Sequence, residues 1–205
     1  MSEHSFNLLP LLLLLLWLAG CASAPPSRPG DICDIFDEKG GWYEDAKASY
    51  ERWGTPIQVQ MSIIFQESGY RDNVRPPRRR ILWIIPWRRP SSAYGYTQAL
   101  DSTWDWYKEE TDNGWADRDD FDDATDFVGW YVNKSHRVIG ISKWDAYSNY
   151  LAYHEGQTGY KRGSYKRKPW LMKVAGRVNA RSERYAQQLH GCRERLERSF
   201  SLWPF

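Results

Sequence analysis

Thr55-Pro56-Ile57-Gln58-Val59-Gln60-Met61-Ser62-Ile63-Ile64-Phe65-Gln66-Glu67-Ser68-Gly69 is the stretch on which the fold turns. Thr55, Pro56 and Gln58 fit an N-cap, a first-turn proline and the third position of a capping box. Ile57, Met61, Ile64 and Phe65 recur at helical spacing, and Gly69 stands where a left-handed residue stops a helix. The stretch is predicted as a helix over 56–68 with Glu67 in its last turn. Outward from it the hydrophobic pattern stays helical, with few alternating runs. Further helices are predicted near 34–53, 100–110, 121–137, 143–155 and 169–190. The fold class is therefore all-α (mainly α), one helical globule over residues 31–205.

Glu67 is the candidate for chemistry. Ile63 and Ile64 stand one turn behind it and draw its carboxyl toward apolar surroundings, where desolvation raises a carboxyl pKa. The partial negative charge at a helix C-terminus pushes the same way. A glutamate that keeps its proton near neutral pH is what a general acid requires. The competing reading is a helix-end carboxylate paired with Arg71 or Arg75.

Three short segments, in order along the chain, carry a resemblance. Gln66-Glu67-Ser68 is followed by Gly95-Tyr96-Thr97-Gln98 and then by Ala152-Tyr153-His154-Glu155-Gly156. Together they resemble the lysozyme-like lytic transglycosylases of the soluble-lytic-transglycosylase type, whose motifs are Glu-Ser, Gly-Leu-Met-Gln and Ala-Tyr-Asn-Ala-Gly. The resemblance covers most of residues 50–170. It implies a lysozyme-like globule with a substrate cleft, acting on peptidoglycan glycan strands. Glu67 would protonate the bond between N-acetylmuramic acid and N-acetylglucosamine and then take the proton of the muramyl 6-hydroxyl, leaving a 1,6-anhydromuramyl end. Ser68 and Tyr153 would orient the Glu67 carboxyl, while Tyr96, Thr97 and Gln98 would line the sugar sites. His154 stands in the family's asparagine position. Glu155, the nearest thing to a second carboxylate, replaces a small residue and is read either as a catalytic or substrate-contacting group or as a salt bridge to Lys161 or Arg162. One carboxylate can serve both proton transfers with help from the acetamido group. No cofactor is implied, and no second His or Cys lies at metal-ligand spacing from His154.

The widest departure is residues 71–92, which lengthen the link between the first two motifs by roughly a dozen residues or more, and long loops in compact domains are usually functional or disordered. At the centre, Ile81-Leu82-Trp83-Ile84-Ile85-Pro86-Trp87 lies between Arg78-Arg79-Arg80 and Arg88-Arg89. An inserted loop or hairpin of this kind can form a wall of the glycan cleft, an interfacial strip on anionic lipid, or a dock for an envelope protein partner.

The N-terminus gives an address. The run from Leu8 to Leu18 is apolar apart from Pro10, and its about eleven residues fall short of the ~18–20 that span a bilayer. Residues 1–20 are read as a secretory signal, and Leu18-Ala19-Gly20-Cys21 resembles a bacterial lipobox with Cys21 as the lipidated residue. The n-region carries no Lys or Arg, and an uncleaved apolar anchor is the alternative. Residues 21–30, rich in proline and small residues, are read as a lipidated tether. Ala22, not aspartate, follows the cysteine, which favours the periplasmic face of the outer membrane. Cys33 and Cys192 remain; in an oxidising envelope they pair, and two buried free thiols are the alternative. A bridge closing about 160 residues stabilises by on the order of 4–5 kcal/mol in the chain-entropy model.

A net charge of +2 is too small to argue for nucleic acid. The charge is unevenly placed: residues 71–90 hold seven arginines against Asp72, and residues 101–126 eleven carboxylates against Lys108 and Arg118. Twelve tryptophans and thirteen tyrosines fit either a carbohydrate cleft or an aromatic core. Two further readings stay open, a muramidase that uses water in place of the 6-hydroxyl, and a catalytically silent lipoprotein that binds glycan or a partner through the same cleft.

Overall fold

The computed structural model describes residues 24–201 apart from 79, 82–84 and 87–89. The signal segment 1–20 and the lipidation candidate Cys21 lie outside the described residues. In chain order the helices are α1 (Ile32–Glu38), α2 (Trp42–Trp53), α3 (Ile57–Ser68), α4 (Asp101–Thr111), α5 (Phe121–Ile139), α6 (Ala146–Lys161) and α7 (Pro169–Ser201), with a 3-10 turn at Ser164–Arg167 before α7. The fold is the all-α globule expected of a lysozyme-like domain. Among the described residues the strands are only β1 (Arg80–Ile81) and β2 (Ile85–Pro86), an antiparallel ladder pairing Arg80 with Pro86 and Ile81 with Ile85. The inserted segment is thus a hairpin. No helix among the described residues is long and apolar enough to cross a membrane.

Helix α3 is the axis of the molecule. Its residues 57–64 are all buried, so the predicted apolar stripe is a helix enclosed on nearly every side, between α5 and α7. Gly69, at φ 62°, ends it by donating its N–H to the Phe65 carbonyl at 2.8 Å, as expected. The capping box does not form. Pro56 is the N-cap, and the buried Thr55 hydroxyl donates instead to the Gly129 carbonyl at 3.0 Å. Gln60 takes up the start of the helix, its amide donating to the carbonyls of Thr55 at 2.7 Å and Ala46 at 3.2 Å.

Gly129 lets α2 and α5 approach: a Cβ there would collide with the side chains of Ser49 and Trp53. The helix predicted over 34–53 is two, broken at Gly40-Gly41, because glycine costs a helix interior about 1 kcal/mol and Gly41 adopts φ 93°. Helix α6 starts later than expected, where the Asp145 side chain caps the Ser148 N–H, and passes a kink at Gly156. Helix α7 runs on to Ser201.

Most of the aromatic enrichment is core. Trp42 stacks on Phe121 with centroids 3.7 Å apart, and Phe127 gathers Trp104, Tyr107 and Trp130 around it. Cys33 and Cys192 are joined, which staples α1 to α7, and Arg195 grips Asp37 with two bonds beside the bridge. Of the tether expected over 21–30, residues 24–30 lie hydrogen-bonded to the domain. Ser27 donates its N–H and hydroxyl to Glu38, Lys39 reaches the Ala24 carbonyl, and Tyr185 donates to the Pro29 carbonyl at 2.5 Å. Proline content predicted freedom here, but these donors find carbonyls that a proline-rich segment leaves unpaired.

Candidate active site

Glu67 lies near the C-terminal end of α3 and opens into a cleft of about 590 Å³ that is also lined by Gln98, Phe127, Tyr131, Tyr153, His154 and Glu155. Ile63 and Ile64 behind it are 0% exposed. Burial pushes its carboxyl up to about 7, opposed by a hydrogen bond from the Tyr150 hydroxyl. At neutral pH such a group is present in both protonation states, which suits a residue that must first give and then take a proton. The competing partners are engaged elsewhere: Arg71 donates to the Ser68 carbonyl at 2.9 Å, and Arg75 lies over the Tyr94 ring at 4.0 Å.

The orienting hydroxyl is Tyr150, which the motif comparison passed over. Tyr150 precedes Tyr153 by three residues on α6, so the two share a helix face, and that spacing is the signal that could have found it. Tyr153 lines the cleft, and burial, then the nearby Glu67 charge, raises its phenol, but its hydroxyl donates to the Thr97 carbonyl at 2.7 Å. Its task is to tie α6 to the segment after Gly95. Ser68 is 2% exposed and donates to the Ile64 carbonyl at 3.2 Å, so its hydroxyl proton is held by its own helix, not turned to Glu67.

The Gly-x-x-Gln segment reaches the cleft through one residue of the three expected. Tyr96 is 2% exposed and packs edge-on against Trp42 and Phe121, and Thr97 is fully buried; neither lines the cleft. Both turn inward because the segment is a tight turn. Gly95 has φ 73°, a Cβ there would strike the Arg118 carbonyl, and Tyr96 donates its N–H to that same carbonyl at 3.0 Å. Gln98 does line the cleft, with its amide protons held by the carbonyls of Val74 and Gly95, each at 2.9 Å. Its carboxamide oxygen is the group it can offer a sugar.

Glu155 forms the other end of the cleft's polar lining. The expected partners Lys161 and Arg162 are replaced by Lys168 at 2.6 Å, with Ser164 and His154 Nδ1 also bonded to its carboxylate. Lys168, then the Ser164 hydroxyl, holds its carboxyl down to about 2. His154 sits between this carboxylate and the Trp170 ring, centroid distance 5.3 Å. Tyr131 and Phe127 supply the aromatic wall, and the Tyr131 hydroxyl donates to the Ala152 carbonyl at 3.2 Å. The hairpin touches this site through its outgoing end, where Ser91 and Ala93 line the cleft. The side chains of its strip, and the docking roles read for them, lie outside the described residues. Among the described residues no group of three or more His, Cys, Asp or Glu side chains is placed to hold a metal ion.

A buried glutamate on a central helix, a helix with two tyrosines beside it, and a glycine-led turn tied to one of them make a site suited to acid–base chemistry. No curated protein and no solved structure matches the chain. The family described as the transglycosylase SLT domain matches residues 9–192, which span the whole cleft, and the chain belongs to that family.

Proposed function

We propose that this protein cleaves the glycan strands of peptidoglycan without water, at the β-1,4 bond from N-acetylmuramic acid to N-acetylglucosamine, leaving 1,6-anhydromuramyl ends. The observation that carries this is Glu67, a carboxyl raised to about 7 by burial and opening into the cleft. In its protonated form Glu67 donates to the departing glycosidic oxygen. As a carboxylate it then takes the proton of the muramyl 6-hydroxyl, whose oxygen closes on C1. Tyr150 holds the carboxyl in place through both steps. Gln98 and His154 contact the sugar, and Glu155, ionised throughout, fixes His154 through Nδ1. Membership in the transglycosylase family supports the reaction class.

The address read from the N-terminus belongs to the same proposal: residues 1–20 direct export and Cys21 anchors the chain at the periplasmic face of the outer membrane. With residues 24–30 bound to the domain, the proposed anchor lies close in sequence to folded structure, so the enzyme works close to the lipid surface. The test is digestion of purified sacculi by the soluble chain and its Glu67→Gln variant, with analysis of the product ends. Anhydromuramyl ends from the first and none from the second are expected. Reducing ends would mean that water attacks, and equal activity in both would remove Glu67 from the chemistry.

A further inference from the structure

A second recess lies at the other end of α3 and shares no residue with the cleft. It consists of two adjoining hollows, of about 100 and 370 Å³, which have Gln58, Trp144, Arg193 and Glu197 in common. From Gln58 to Glu67 is nine residues of one helix, roughly 14 Å at 1.5 Å per residue. The floor is polar. Gln58 is 7% exposed, yet its carboxamide makes no hydrogen bond with any described residue. A carboxamide that lines a recess and has no partner among the described residues can pair with a ligand that brings both a donor and an acceptor.

The walls are aromatic faces. Trp144 is 65% exposed and Tyr50 40%, among the few large aromatic side chains that the core does not use. The Trp144 indole has no hydrogen-bond partner among the described residues. Around the rim the charges are of both signs: Lys47 pairs with Glu51 at 3.9 Å, Glu197 accepts from the Tyr43 hydroxyl at 3.3 Å beside Arg193, and Glu194, which accepts from Arg198 at 3.0 Å, lines the second hollow with His190. Lys47 and Arg193 against Glu51, Glu194 and Glu197 disfavour an anionic ligand, and the ion pairs of Glu51 and Glu194 leave little free charge for a cationic one. An apolar peptide would desolvate these charges and offer Gln58 no partner. A pyranose ring satisfies every feature, since its C–H face lies against an indole while its hydroxyl and acetamido groups pair with a carboxamide and with charges of both signs.

We propose that this recess is a second saccharide site, holding a neutral N-acetylated sugar unit while the cleft acts on glycan at the other end of the helix. The identity of the sugar rests on the peptidoglycan reading above; the existence of the site does not. Binding of tri-N-acetylchitotriose, a soluble β-1,4 oligomer of N-acetylglucosamine, tests it. Calorimetric titration of the Glu67→Gln chain, which cannot consume the polymer, is expected to show two binding sites. Trp144→Ala in that background removes one of them and lowers retention on pelleted sacculi about tenfold, and Trp144→Phe, which keeps an aromatic face, restores both. Gln58→Met weakens the same site. Thermal melting of each variant confirms that it is folded. A stoichiometry unchanged by Trp144→Ala overturns the proposal, as does binding of a free peptidoglycan stem peptide at this recess in place of the sugar. Failure of wild-type protein to cleave sacculi would sink the enzymatic reading alone and leave this result standing.

Discussion

Glu67 and Glu155 line the same cleft, and their surroundings drive them in opposite directions. Glu67 sits on a helix enclosed by apolar side chains with a single tyrosine hydroxyl for a partner, and its pKa rises to about 7. Glu155, with a side chain only 5% exposed, has Lys168, Ser164 and His154 around its carboxylate, and its pKa falls to about 2. Burial raises the first, and the Lys168 and Ser164 hydrogen bonds lower the second. A carboxyl enclosed without a cation keeps its proton, and one clamped by a cation loses it. The first can act as an acid at neutral pH, while the second serves as a fixed negative charge that holds a histidine in one orientation.

The largest break in this comparison is kinetic. Glu67→Gln should lower turnover on sacculi by about a thousandfold, within the range that a positioned general acid supplies. Glu155→Gln should lower it by no more than about tenfold, because it loosens His154 without touching the proton transfers. Side-by-side rates for the two variants decide this, and comparable losses would mean that Glu155 takes part in the chemistry. Next in size is Tyr150→Phe, which removes the one group that stabilises ionised Glu67. Turnover should fall roughly tenfold and the alkaline limb of the pH–rate profile should move to higher pH, since the carboxyl then holds its proton more tightly. An unmoved limb would assign that limb to another group.

How much of this was legible in the sequence depends on the range of the interactions. The ends of α3 were readable to within a residue because Pro56 and Gly69 act on the backbone locally. The break at Gly40-Gly41 was missed because the hydrophobic pattern continues across it and outweighed the glycines. Glu67 was legible because apolar neighbours one turn away already imply desolvation. Lys168 as the partner of Glu155 was not, since the turn through Gly163 and Ser164–Arg167 brings it back across thirteen residues. Tyr96 went to the core, and Tyr150 in place of Tyr153 to the Glu67 carboxyl, for a similar reason: a tyrosine serves a core or a cleft equally well, and only packing assigns it. Gln58 read as a capping residue, and that local explanation concealed a side chain that faces a recess.

A smaller effect, on stability, sharpens the comparison through its sign. The Glu67 pKa is raised from an ordinary 4.5 to about 7, so between those values the folded chain holds a proton that the unfolded chain has released. Stability from this group is complete below 4.5 and is lost as pH rises through 7, an effect worth roughly 3 kcal/mol. Glu67→Gln, neutral at every pH, should match wild type near pH 4 and exceed it by up to that amount at pH 8 in urea unfolding. A gain that does not grow with pH would place the Glu67 carboxyl in water after all.

Glu155→Gln should show the mirror image with the smallest amplitude. Its pKa is lowered to about 2, so between 4.5 and 2 the unfolded chain binds a proton that the folded chain refuses. The group's stabilisation is complete above 4.5 and disappears as pH falls toward 2. Lys168 is itself 40% exposed, and solvent screens the pair, which reduces the expected loss at pH 7 to about 1–2 kcal/mol. Screening by salt follows from the same exposure, so the difference from wild type should shrink in 1 M salt, where the Debye length is about 3 Å. The Glu67 difference should persist there, because desolvation involves no ion pair for salt to screen. Urea unfolding of both variants at pH 7, with and without salt, therefore separates the two causes directly. If both differences respond to salt alike, the two glutamates are set by one electrostatic field, and the contrast between an apolar enclosure and an ionic clamp fails.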